Sequence, residues 1–140
     1  MLIALDLSAV KEFVSLYDSG DDKTVFKIGV LDSITRAKIE DKQTEFVLNR
    51  VSTSGHADMR INRRQRNIEI VKHGLRGWDK FKDAQGNEVA FTSVSEPGPA
   101  SSMKSVVSDA SLRLIPGEII DELADEIVKM NTFTKVDEGN

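Results

Sequence analysis

Two histidines, His56 and His73, are the residues of this chain best suited to acid–base or metal chemistry. Neither has a second histidine four residues away, the spacing that sets two imidazoles around a metal on one helix face. His73 falls at the end of an expected helix, where an imidazole favours the dipole without doing chemistry. His56 falls in an expected loop beside Asp58. Asp18, Asp21 and Asp22 could open a calcium loop, but Gly20 comes too early and no Glu closes the span. Gly74 and Gly77 flank no Gly-Lys-Ser/Thr phosphate cradle. The serines of Ser93–Ser105 lack a Gly-x-Ser-x-Gly elbow. With no Cys in the chain, disulfides, thiol nucleophiles and thiolate metal sites are excluded. These residues point to a binding or assembly protein rather than an enzyme, with no cofactor and no metal expected.

Charge is the stronger signal. From Met59 to Lys82 the basic residues are Arg60, Arg63, Arg64, Arg66, Lys72, Arg76, Lys80 and Lys82, opposed only by Glu69 and Asp79. From Gly117 onward the acids are Glu118, Asp121, Glu122, Asp125, Glu126, Asp137 and Glu138, opposed by Lys129 and Lys135. Asp121, Glu122, Asp125 and Glu126 resemble paired catalytic acids, but their helical spacing makes them a solvent face. Two such faces can meet across subunits, and a head-to-tail contact of that kind builds rings or filaments. They can equally be solvated, or pair within one molecule. The Arg cluster also fits phosphate, yet the pI of about 5.2 and the few aromatics nearby disfavour nucleic acid. Trp78 and Phe81 read either as core anchors of a hairpin or as interface anchors.

The elements that would position these residues form an α+β pattern. Ser8 to Tyr17 has Val10, Phe13, Val14 and Tyr17 at helical spacing and predicts a short helix capped by Ser8. Asp18–Asp22 is a turn, and Thr24–Leu31 is a strand. Asp32 or Ser33 caps a helix to about Val51 that buries Ile34, Ala37, Phe46 and Val47, with Ile39 near its edge. After a polar loop, Asp58 caps a helix from Met59 to His73, striped by Ile61, Ile68, Val71 and Leu75, with Gly74 at C′. Trp78–Phe91 predicts a β-hairpin turning at Asp83–Asn87. Ser93–Ser105, with Pro97, Gly98 and Pro99, predicts a flexible loop. The last helix has Pro116 in its first turn, Glu118, Asp121 and Glu122 at its positive end, and an apolar stripe of Ile120, Leu123, Ile127 and Met130. Asn131 stops it.

The expected fold is thus a small α+β domain over residues 1–131, with about four helices, a short strand, a hairpin and an amphipathic C-terminal helix. A polar tail follows over 132–140. At 140 residues the chain can bury a core, and its net charge of −4 suits a soluble protein. The N-terminal Met1–Leu7 stretch is apolar but short and interrupted by Asp6, which argues against a signal peptide. No apolar run is long enough to span a bilayer, so no membrane contact is expected.

Several segments resemble blocks of a loose group of tailed-bacteriophage virion morphogenesis proteins. One is His73-Gly74-Leu75-Arg76-Gly77-Trp78-Asp79-Lys80-Phe81-Lys82-Asp83 with Gly86-Asn87-Glu88-Val89-Ala90-Phe91. Others are Ser111-Leu112, Leu114-Ile115-Pro116, Ile119-Ile120, Glu122-Leu123-Ala124 with Ile127, and Asn131-Thr132-Phe133-Thr134. Thr24–Gly29 resembles the strand that opens these proteins. The resemblance implies a tail or neck structural protein, or a tail assembly chaperone that binds the tape-measure protein and leaves. It implies other phage structural proteins as partners, a homo-oligomer or multi-copy assembly, and a place in the host cytoplasm during assembly; whether the virion then retains the protein is left open by the resemblance. It supplies no catalytic residue. The segment Met59–Arg66 and the Ser93–Ser105 stretch lie outside it. A host-factor-binding role or a nucleic-acid role for helix 59–73 are the competing readings.

Overall fold

A computed structural model of the chain describes residues 2–50, 56–97 and 103–131, with only the helical backbone given for 42–50 and 56–62. The tail 132–140 and most of the expected polar loop after Val51 lie outside the described residues, as do the side chains of Phe46, Val47 and Ile61. The chain is α+β. In order it forms β1 (Val10–Phe13), β2 (Val25–Gly29), α1 (Ser33–Arg50), α2 (His56–Gly74), β3 (Leu75–Asp79), β4 (Ser93–Pro97), β5 (Met103–Val107), α3 (Asp109–Leu112) and α4 (Gly117–Asn131). An antiparallel sheet runs β1-β2-β3, and β4 and β5 pair as a separate hairpin.

The segment expected as a first helix is strand β1. Lys11 faces Ile28 and Phe13 faces Phe26 across the ladder, so β2 takes up the backbone groups a helix would have satisfied internally. Ser8 caps no helix; its N–H and hydroxyl donate to Asp6 Oδ1, closing a turn ahead of the strand. The expected turn after it is present. Asp18 Oδ2 accepts from Thr24 N–H at 2.8 Å and sets the entry to β2. Phe26 and Ile28 point into the core, and a bulge at Arg76 carries β3 past β2.

Asp32 caps α1: its carboxylate accepts the backbone N–H of Thr35 at 2.8 Å and the hydroxyl at 2.7 Å. The buried face of α1 differs from the expected one. Ile39 is buried while Ile34 and Ala37 are exposed, because Leu31 and Thr35 turn the helix by their own burial. Helix α2 runs from His56, so Asp58 lies inside it and not at the position ahead of its first turn. Its core residues are Asn67, Ile70 and Val71, with Ile68 half-buried. Gly74 is not a left-handed cap, since Gly86 is the one glycine with positive φ among the described residues. Its role is close approach: a Cβ there would lie 2.6 Å from Ile127 Cδ1 of α4.

The turn at Asp83–Asn87 is as expected. Asp83 Oδ1 accepts from the N–H groups of Gln85 and Asn87, and Gly86 adopts φ +84. Its arms pair at Lys82 and Glu88, where Val89 N–H donates to Phe81 O and Asp83 N–H to Asn87 O. Trp78 is 8 % exposed and donates Nε1–H to Val89 O at 2.7 Å. Phe81 and Phe91 meet it edge-on at ring separations of 4.8 and 5.0 Å. The segment expected as a loop from Ser93 to Ser105 contains β4 and β5. Val94 faces Val106 and Glu96 faces Lys104, and Pro97 sits at the last pair, where a missing N–H costs least.

Helix α4 closes the core as its stripe predicts. Ile120, Leu123, Ala124 and Ile127 are buried, and Pro116 O accepts from the N–H groups of Ile119 and Ile120. Asn131, the last described residue of α4, bonds Leu31 twice, its Oδ1 accepting from the N–H and its Nδ2 donating to the carbonyl. The amide side chain thus pairs with the exit of β2 as a strand would. Truncating fully buried Leu123 to Ala will cost about 2–5 kcal/mol in urea unfolding, from lost transfer energy plus a cavity. Leu123→Asp will abolish the cooperative transition, by burying an unpartnered carboxylate. A loss under about 1 kcal/mol for the Ala variant would show that α4 does not seal the core.

Candidate interaction surface

The charged residues singled out in the sequence are mostly engaged inside the molecule. Arg64 meets Asp121 at 3.1 Å, and Asn67 Nδ2 donates to the other oxygen of Asp121 at 2.9 Å. These bonds tie α2 to α4, so this part of the charge segregation is a contact within the chain. Glu122 accepts the Ser15 hydroxyl and, at 3.0 Å, the Leu16 N–H. Glu126 is bridged by Lys11 and Lys129, both at 3.2 Å. Burial opposes its charge, yet the two lysines hold its carboxyl below the usual range. Arg63 and Asp125 are exposed, Arg66 is half-buried, and the Arg60 side chain lies outside the described residues. Trp78 belongs to the core and offers no interface; Phe81 is half-buried against it.

What the acids of α4 position is the N-terminal segment. Lys11, Ser15 and Leu16 are all held by Glu122 or Glu126, and Ser15 is buried. A backbone fixed this way has no freedom to turn its neighbours inward. Leu16 is 93 % exposed and Tyr17 67 %. Leu2, at 87 %, and Ile3, Leu5, Leu7, Val10 and Val14 are exposed as well. Of the four apolar residues expected on one buried helix face, only Phe13 packs against the core. A single exposed leucine needs no explanation, but eight large apolar side chains within sixteen residues do. The reading of Met1–Leu7 as apolar was the available signal.

A second apolar feature is a shallow groove of about 310 Å³ toward the N-terminal end of α4. Ile68 of α2, Leu112 of α3, and Ile115 and Ile120 line it, with Arg64, Asp109, Arg113 and Gly117 around them.

The one cluster of perturbed titratable groups lies where α2 ends beneath the β4–β5 hairpin. Lys72 meets Glu96 at 2.9 Å, and Lys104 donates to the Thr35 hydroxyl at 3.1 Å with Asp32 beyond it. His73 lies between them, with Nε2 3.9 Å from Glu69 and a buried Nδ1 that has no partner. Burial, reinforced by Lys104 and Lys72, pushes its pKa down to about 4. The ring is neutral at pH 7, so it makes no favourable charge contact with the helix end. Nothing aims it at a reacting atom. Among the described residues no group of three or more His, Asp or Glu could hold a metal ion. No described helix is long and apolar enough to cross a membrane.

The unfolded chain protonates His73 near its ordinary value of 6.5 and the folded chain only near 4. Stability is therefore complete above 6.5 and falls as pH drops through that window. Asp32 and Glu96, also held below the ordinary carboxylate range, extend the loss at lower pH. Between pH 7.5 and 5 the His73 contribution is about 2 kcal/mol. Urea midpoints will show that loss, and His73→Phe will remove most of it; an equal loss in the variant would place its origin elsewhere.

No family model, curated protein or solved structure matches the chain.

Proposed function

We propose that this chain is a non-enzymatic assembly protein of a tailed-bacteriophage particle, belonging to the tail or neck. It works through protein–protein contacts made by its N-terminal apolar segment. One observation carries the reading: Leu2–Tyr17 presents eight exposed apolar side chains, and α4 holds the later part of the segment in place at Lys11, Ser15 and Leu16. Covering such a surface is worth roughly 25 cal/mol per Å² of apolar area, and the fixed backbone lowers the entropy lost on contact. The block resemblance around Gly74–Phe91 and Leu114–Ile127 supports the phage context. In this reading the protein acts in the host cytoplasm during assembly and enters the virion.

Charge has a different part from the one its segregation suggests. Asp121, Glu122 and Glu126 already have partners in the chain, so apposed Arg-rich and acidic helices are not the source of affinity. Exposed Arg63 and Asp125 steer approach and orientation. A nucleic-acid role for α2 is weakened by the same geometry, because Arg64 is paired with Asp121 and α4 lies alongside.

Mass spectrometry of purified particles tests the reading. The protein will be retained, and Leu16→Asp, an exposed change that leaves the fold intact, will reduce its incorporation at least about tenfold, the effect of losing about 1.4 kcal/mol of contact. Absence from particles would overturn the structural role in favour of the tail assembly chaperone. Undiminished incorporation of the variant would remove the N-terminal segment from the interface.

A further inference from the structure

We infer that the partner of the N-terminal segment is the groove of a second copy of this chain, in a head-to-tail contact. This rests on the assembly reading above and names the surface that receives the segment.

The two features complement one another. The segment Leu2–Leu7 is apolar except for Asp6, whose carboxyl stays charged because Ser8 donates to it twice. The groove has an apolar floor of Ile68, Leu112, Ile115 and Ile120, with Arg64, Arg113 and one acid, Asp109, at its rim. Arg113 is exposed and follows α3 as its C-cap. An apolar strip with one carboxylate thus matches an apolar slot beside which the exposed Arg113 can receive it, Arg64 already serving Asp121.

The fold keeps the two features apart in one molecule. The segment enters β1 at Val10, which pairs with Gly29, and Leu31 just beyond is bonded to Asn131 at the C-terminal end of α4. The groove includes Gly117 and Ile120 at the N-terminal end of α4. Val10, where the segment joins β1, therefore lies toward the end of α4 opposite the groove, while Lys11 and Leu16 reach back along the helix to Glu126 and Glu122. Each copy therefore offers a segment at one end and an empty receptor at the other. Contacts of this kind are heterologous, so they propagate into a ring or a filament.

The experiment is mass in solution by light scattering on the full chain, with two exposed-site variants. Wild-type mass will rise above the monomer with concentration up to about 1 mM. Leu5→Asp combined with Leu7→Asp spoils the segment and leaves the groove; Arg113→Glu spoils the groove and leaves the segment. Each variant alone will stay monomeric, with a thermal transition within a few degrees of wild type. An equimolar mixture will form heterodimers and stop there, since one copy supplies the groove and the other the segment. A mixture that stays monomeric, a variant that assembles like wild type, or a wild type that is monomeric throughout would overturn the inference. A monomeric wild type that still enters particles in a Leu16-dependent way would leave the assembly reading standing and remove only the self-contact.

Discussion

The seating of α4 against α2 and the three-stranded sheet is the contact on which the rest of this structure depends. The two helices approach so closely at Gly74 that no side chain fits between its backbone and Ile127. That approach lets Leu123 and Ile127 fill the space under β2 and β3 with no exposure. Polar bonds fix the helix at both ends of its stripe, with Asp121 held by Arg64 and Asn67, and Asn131 on the exit of β2. Packing supplies the energy, and these bonds set the register.

The outer side of the same helix determines what the molecule shows to others. Glu122 and Glu126 are placed by the inner stripe, and they in turn grip Lys11, Ser15 and Leu16. A segment that would otherwise be loose is anchored with its apolar residues facing water. Function in this account follows from what the core leaves out: the stripe of α4 is satisfied internally, and the apolar side chains of Leu2–Tyr17 are not. His73 and its charged neighbours belong to the other role. They fasten the β4–β5 hairpin to α1 and α2 through Glu96 and Lys104; burial depresses His73 and Lys104, while the bond between Lys72 and Glu96 favours the charge on each.

Helix α4 was legible because every local signal agreed: proline before the first turn, acids at the start, a stripe at 3.6-residue spacing and asparagine at the end. Strand β2 and the Asp83 turn were legible for the same reason. Strand β1 was not, because Val10, Phe13, Val14 and Tyr17 fit helical spacing while pairing to β2 decides the outcome, a contact with no local trace. The β4–β5 hairpin was hidden because Ser93, Ser95, Pro97 and Ser105, which read locally as loop residues, sit in its ladder, where pairing to the partner strand overrides their propensity. Charge segregation was visible in the sequence, but its pairing needed the fold: only with α2 beside α4 does Asp121 find Arg64. The exposed N-terminal surface was partly concealed by the helix reading, which buried Val10, Val14 and Tyr17, three residues the structure leaves open.

Amide hydrogen exchange across the chain, followed from dilute to concentrated solution, tests most directly whether the open N-terminal surface exists to be covered by a second copy. The account predicts that in dilute solution α4 and β2 exchange slowest while Leu2–Leu7 exchanges as open chain. On concentration, Leu2–Leu7 and the residues around α3 will gain protection together. A segment already slow in the dilute monomer, or one whose exchange no concentration alters, would contradict it.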